Sequence, residues 1–448
     1  VIDASTGSVI GNVPAYGEPR FGADDRYGYI VDYHFNHGSV AVVDTADDSV
    51  TVIPTGGEPT DVWFGAGGAY AFVLDRSGGE PKVTVIDTSD HSFTTIDVGP
   101  TPGWRYISPD GTRTYVTDRN SGTVTVIDSA RGVEVKTVET SPGVISYWGE
   151  PQFSPDGTRF YVVNGGNVSI FNTVDDSVIT VPGDGRLGFT PDGAFAYVLD
   201  NRNLSANTLI MMSTSDDSVR ALEVPGYADR AYFNQDGSRA YLTSYSGTDL
   251  TVVDTVSGAV TPLRVGRQIY EPQFSPDGRQ LFVVGAEYTE APDRWVGLPG
   301  TVTVIDTMDD TVRTVLVGVW PNRMTFSPDG VHAYIVSDRS VDGSTITVID
   351  RTDGTYTSFE GSAYATDVEF TPDGRYAYVF GYGETIDDGE IMFIDLADGA
   401  TSVVPVPAPT GIRFSADGRS AYVLDSRAGT ATVIALDGGT PTESGRNV

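Results

Sequence analysis

The chain has 448 residues, 39% of them hydrophobic, with 23 Tyr, 19 Phe, 52 Gly and 26 Pro; this is too much apolar surface for a disordered segment and suits many short strands with frequent reversals. A formal net charge of −33 with no offsetting Lys/Arg cluster argues against nucleic acid and anionic membranes as partners, while it favours solubility and attracts cations or basic proteins. Cysteine is absent, which excludes disulfides, thiolate metal sites and cysteine nucleophiles.

The chain opens on Val1-Ile2-Asp3, without an initiator Met or a signal sequence, and is expected to have been cut from something longer. No apolar run approaches the ~20 residues that span a bilayer, so membrane insertion is not expected. Val1-Ile2-Asp3 reads as the tail of a third strand, and Ser8-Val9-Ile10-Gly11-Asn12-Val13 as a fourth strand with no unit of its own.

From there one pattern repeats along the chain, seen most clearly at Phe153-Ser154-Pro155-Asp156-Gly157. Its anchors are Phe21, Phe64, Ile107, Phe153, Phe189, Phe233, Phe274, Phe326, Phe370 and Phe414, ten units in all, spaced by 36 positions at the closest (Phe153 to Phe189) and 52 at the widest (Phe274 to Phe326). Eight positions after each anchor stands Tyr29, Phe72, Tyr115, Tyr161, Tyr197, Tyr241, Phe282, Tyr334, Tyr378 or Tyr422. All are aromatic in a chain that is 10% aromatic, so the alignment is not chance.

The third unit shows the elements of one repeat. A strand ends at Ile107, and Asp110-Gly111 reverses the chain, because Gly accepts the positive φ that tight turns need. A second strand is predicted over 113–117 and a third over 123–127, separated by the polar loop Asp118-Arg119-Asn120-Ser121-Gly122; a fourth follows over 133–138. Four antiparallel strands form a blade too thin to bury both faces alone, so neighbours must stack. The fold expected is all-β, a β-propeller of ten four-stranded blades forming a single domain over 1–448. In the last unit, 438–448 is rich in Gly, Pro and Ser and is read as lacking a fourth strand, so Ser8–Val13 is expected to complete that blade and close the ring. One ring is preferred to two smaller rings of five because no linker interrupts the units.

The segments Thr114-Tyr115-Val116-Thr117-Asp118 and Gly122-Thr123-Val124-Thr125-Val126-Ile127-Asp128 resemble the YVTN-type (YncE-like) β-propeller repeat, over nearly the whole chain. Members of that family usually have seven blades and act as surface or periplasmic binding proteins. The resemblance therefore implies a secreted, periplasmic or cell-surface scaffold, and ten units depart from the family's pattern.

Propeller function concentrates at one rim. Three positions before each anchor stand Glu18, Asp61, Trp104, Glu150, Arg186, Arg230, Glu271, Arg323, Asp367 and Gly411, eight of the ten charged in a chain that is 20% charged. Such a ring of ionisable groups near one channel mouth either joins neighbouring blades by salt bridges or receives a charged ligand or peptide terminus, for which Arg186 and Arg230 are the sharper candidates. A second candidate is the seventh unit's insertion, Glu287 to Gly300, read as a long loop carrying Arg294 and Trp295, residue types common in binding hot spots; Trp295 folding back over the blade edge is the alternative.

Enzyme signatures are weak: no nucleophile elbow, phosphate loop or dinucleotide fingerprint occurs, and no cofactor is expected. His34 and His37 form an i, i+3 pair without an evident third metal ligand, while His91 and His332 stand alone. The pairs Asp47-Asp48, Asp175-Asp176, Asp216-Asp217 and Asp309-Asp310 recur between strands three and four and are read as turn residues before calcium ligands. The expectation is a non-catalytic scaffold that recognises a protein, peptide or glycan through the channel mouth and the seventh unit's loop, as a monomer or part of a longer chain. The alternatives are a metal-dependent hydrolase or lactonase, with Glu18, Glu150, Glu271 and Asp367 as ligands, and a surface-layer or spacer module.

Overall fold

The computed structural model describes residues 17–23, 25–32, 38–76, 81–140, 150–200, 202, 206–226, 228–243, 249–265, 268–269, 272–291, 294–340, 343–361, 365, 368–381, 389–406, 409–417, 419–425, 429–436 and 442–443. They form ten antiparallel sheets, numbered here in chain order, nine of four strands and the seventh of five. No helix among them is long and apolar enough to cross a membrane. The chain divides into two compact units, Val1–Gly226 and Tyr227–Val448, with five sheets in each.

Each repeat folds as its residues dictate. In the third sheet the strands are Pro102–Ile107, Arg113–Asp118, Thr123–Asp128 and Val133–Glu139, within a residue of the expected bounds. The turn after Ile107 is closed by the Gly111 N–H donating to the Ser108 carbonyl (2.8 Å), with Gly111 at φ +70°. The Ser108 hydroxyl donates to Asp110 (2.6 Å) and accepts from the Arg113 N–H (2.9 Å). Ser154 and Asp156 repeat this arrangement one sheet on.

The middle strands are buried on both faces and the fourth is mostly exposed, which is why Thr-Val-Thr-Val-Ile runs mark the former while the latter mixes Glu, Lys and Val. What meets those faces is the next sheet. The aromatic residue eight past one anchor packs against the following anchor: Tyr29 on Phe64 at 5.3 Å between centroids, Tyr115 on Phe153 at 5.8 Å, Tyr161 on Phe189 at 5.5 Å, Tyr241 on Phe274 at 5.9 Å, Phe282 on Phe326 at 5.3 Å, Tyr334 on Phe370 at 5.4 Å and Tyr378 on Phe414 at 5.6 Å. Six are edge-to-face and the last is tilted, geometries that add about 0.5–1.5 kcal/mol each beyond area burial. The turns also meet. A Cβ built on Gly157 would lie 2.9 Å from Pro109 of the preceding sheet, so glycine is required there by contact as well as by its φ of +72°.

Two expectations are corrected. In the seventh sheet the insertion is no loop: Gln280–Ala291 and Arg294–Asp306 are continuous paired strands, with Tyr288 opposite Gly297 and Ala291 opposite Arg294, because its β-formers extend the existing ladder. In the tenth, Thr442–Glu443 pairs with Thr430–Ala435, so the segment read as lacking a fourth strand supplies one. Ser8–Val13 lies outside the described residues.

The Asp pairs serve turns. The first member accepts a backbone N–H two residues on, as in Ser177 to Asp175 (2.9 Å) and Thr311 to Asp309 (2.9 Å), while the second takes a positive φ of 59° to 61° in all four. Asp118, at the end of a second strand, is 1% exposed. Burial pushes its carboxyl up, but the N–H groups of Ser121 and Thr101 and the Thr101 hydroxyl outweigh this and hold it below the ordinary carboxylate value.

Two outcomes follow for stability. The buried hydroxyl of Tyr161 has no hydrogen-bond partner among the described residues, so Tyr161→Phe is expected to change stability by less than about 1 kcal/mol, whereas Tyr161→Ala costs about 3–5 kcal/mol in urea unfolding. Equal losses for the two variants would contradict the ring-packing account. Because the folded pKa of Asp118 is depressed, its stabilisation is complete above the unfolded value of about 3.9 and disappears as pH falls through the folded value. The deficit of Asp118→Asn should therefore be largest at neutral pH and shrink below about pH 4, as acid-titrated melting curves would show.

Candidate functional site

Within the first unit, strands Pro59–Phe64 and Pro102–Ile107 carry two of the expected rim residues, Asp61 and Trp104, into one cluster. Asp61, on the second sheet, lies between Arg105 of the third (2.6 Å) and Arg20 of the first (3.7 Å). The salt-bridge reading of the charged ring thus holds at Asp61. The Arg105 guanidinium also covers the Trp63 ring at 4.8 Å, and its buried Nε has no acceptor among the described residues.

Trp104 points outward, 58% exposed. The Arg76 guanidinium lies over its ring at 5.4 Å and donates to the Gly103 carbonyl. On the other flank the Arg119 stem lies beside Gly103, where a Cβ would be 3.2 Å from its Cγ. Arg76 and Arg119 are equivalent residues of successive repeats, each following the Asp that ends the second strand, Asp75 and Asp118. Asp75 and Asp118 set these arginines by accepting the N–H groups of Glu58 (2.8 Å) and Thr101 (2.6 Å) from the chain entering the same sheet. Partial burial, followed by repulsion from Arg105 and Arg119, holds the Arg76 pKa below its ordinary value, so an arriving anion would relieve repulsion already present. Nearby, burial and then the Glu150 carboxylate push the Tyr106 phenol up to about 12.

Of the remaining rim residues, Glu150 lies near Tyr106. Glu18, Glu150 and Arg186 are exposed in the first unit, Arg230 and Arg323 in the second, and Gly411 is half-buried. Glu271 and Asp367, along with His34 and His37, lie outside the described residues. Arg294 and Trp295 belong to the extended hairpin. Among the described residues no group of three or more His, Asp or Glu is arranged to hold a metal. Sequence reasoning missed Arg20, Arg76, Arg105 and Arg119, which stand at three offsets from their anchors, only Arg76 and Arg119 sharing one; the Asp-Arg pair ending two successive second strands was the available signal.

No protein-family model matches the chain, and no curated protein matches it. Among solved structures it is similar to the dihydro-heme d1 dehydrogenase NirN in complex with DHE, with 22% identity over 77% of this chain and 74% of that one and a TM-score of 0.35. It is similar to a eukaryotic initiation factor, with 14% identity over 82% and 94% and a TM-score of 0.42. A third is a putative 6-phosphogluconolactonase from Bacteroides uniformis, with 18% identity over 63% and 91% and a TM-score of 0.30. The four-stranded sheets are propeller-like, and what those proteins bind or catalyse is theirs alone.

Proposed function

We propose that this protein is a non-catalytic, propeller-type binding scaffold that captures a protein, peptide or glycan by an anionic group at the arginine and tryptophan cluster of its first unit. The observation that carries this reading is the pairing of Asp61 with Arg20 and Arg105, with Arg76 and Arg119 gathered beside Arg105 and an outward-facing Trp104, in a chain of net charge −33. Elsewhere the acidic surface repels anions. Here planar guanidinium forks match a carboxylate, sulfate or phosphate, and Trp104 supplies a flat apolar face for a sugar ring or an aromatic side chain. The resemblance to YVTN-type surface and periplasmic binding proteins supports the scaffold role and is the reason to expect a secreted or cell-surface location. Ten sheets around one axis belong to the same proposal and rest on the uniform repeat. Ten-lobed class averages of single particles would support that arrangement, and five-lobed ones would replace it with two smaller rings.

Calorimetric titration with oligogalacturonate and with a peptide ending in a free carboxylate, each against its neutral methyl ester or amide, tests the site. The acidic form of at least one is expected to bind, and Trp104→Ala or Arg105→Lys, which keeps the charge but loses the fork, to weaken it about tenfold or more. Equal binding of acidic and neutral forms, or undiminished binding by both variants, would rule the cluster out.

A further inference from the structure

The repeat allows one sheet to be compared with the others at a single position. The residue six past the anchor begins the second strand and reaches the turn between strands three and four of the following sheet. Arg113 grips the Asp176 carboxylate with Nε (2.9 Å) and Nη2 (3.1 Å) while its Nη1 lies 3.3 Å from Asp128 of its own sheet. Arg159 grips Asp217 in the same way (2.8 and 3.2 Å). Arg239 spans Asp310 (3.2 Å) and Asp254 of its own sheet (2.7 Å). Between the seventh and eighth sheets the roles reverse, and Arg351 donates back to Gln280 (3.2 Å).

Between the eighth and ninth sheets neither partner is present in that form. The first position is the shorter His332, and the turn residue equivalent to Asp176, Asp217 and Asp310 is Gly399, at φ +74°. A cleft of about 280 Å³ opens there, lined by His332, Asp350, Tyr356, Phe359, Asp395 and Gly399 among others. Asp350 is the counterpart of Asp128 and Asp254, the carboxylates that hold a guanidinium in the third and sixth sheets. Its own contacts are the Thr352 N–H (2.7 Å), the Thr352 hydroxyl (2.6 Å) and the His332 Nε2 at 3.9 Å. Asp395 is turned to Arg375 at 3.4 Å. The cleft therefore keeps the space and the own-sheet carboxylate of an arginine latch without the arginine.

We propose that this cleft binds an alkyl guanidinium: the head on Asp350, the stem along the rings of Tyr356 and Phe359. The interblade latches show that the repeat's geometry holds such a group, the aromatic wall suits its flat face, and the net charge of −33 draws cations in. The guanidinium comes either from an arginine side chain on a partner or from a free small solute.

Calorimetry with N-acetyl-arginine amide, its neutral isostere N-acetyl-citrulline amide, and a peptide carrying one central arginine tests this directly. The guanidinium form is expected to bind about tenfold or more tighter than the citrulline form. His332→Arg with Gly399→Asp, which rebuilds the latch in a turn conformation that Asp already adopts at 176, 217 and 310, should abolish binding and raise the melting temperature. Should that pair fail to fold, the isosteric Asp350→Asn carries the test, with the same loss expected. A peptide binding tighter than the amide assigns the site to a protein partner, and equal affinities assign it to a solute. Citrulline binding as well as arginine, or a rebuilt latch or Asp350→Asn that leaves affinity intact, would overturn the proposal. Arg105→Lys, in the other unit, should leave this binding unchanged whatever it does to anions.

Discussion

Each sheet in this protein is too thin to have an interior, so its stability depends on the packing between one sheet and the next, most often an aromatic pair. Tyr115 on Phe153 and Tyr161 on Phe189 are the same contact taken one sheet further. It joins the buried second strand of one sheet to the end of the first strand of the next, and thereby sets how close the first strands lie. Asp61 can be shared by Arg20 and Arg105, from the sheets on either side, only because that spacing is short and regular.

Charge is distributed with the same economy. Sixty-one acidic residues face 28 basic ones, so most carboxylates cannot have a cationic partner. Many instead accept backbone N–H groups in turns, as Asp110, Asp156 and Asp175 do, an arrangement that stabilises the ionised form without a cation. Arginine is then conspicuous wherever it gathers. Singly, in Arg113, Arg159 and Arg239, it ties sheet to sheet; collected, in Arg76, Arg105 and Arg119, it makes a positive cluster whose mutual repulsion no turn or strand requires. The cleft beside His332 is informative for the opposite reason: the latches at Arg113, Arg159 and Arg239 show how the same position holds a guanidinium where one is present.

The seventh sheet and the chain's last residues show how pairing overrides composition. The insertion carries Pro, Gly and charged residues that read as a loop, yet a strand already hydrogen-bonded along Gln280–Gly285 continues most cheaply by adding ladder bonds through Ala291. Thr442–Glu443 likewise becomes a strand because the free edge of Thr430–Ala435 offers unpaired groups to whatever chain lies beside it.

The sequence by itself determined the number of sheets, their anchors, the turn chemistry and the order of strands within each repeat. Those follow from local rules, positive φ at Gly, β-propensity and alternation, which act within a few residues of each other. It also picked out Asp61 and Trp104, because they share one offset from their anchors. Only the tertiary structure decided that the aromatic at one offset packs on the next repeat's anchor, that arginines from three different offsets gather beside Asp61 and Trp104, and that His332 and Gly399 line one cleft. These contacts join sheets whose residues lie from 28 positions apart, as from Tyr161 to Phe189, to 67, as from His332 to Gly399, and no pattern within one repeat specifies what its neighbour presents.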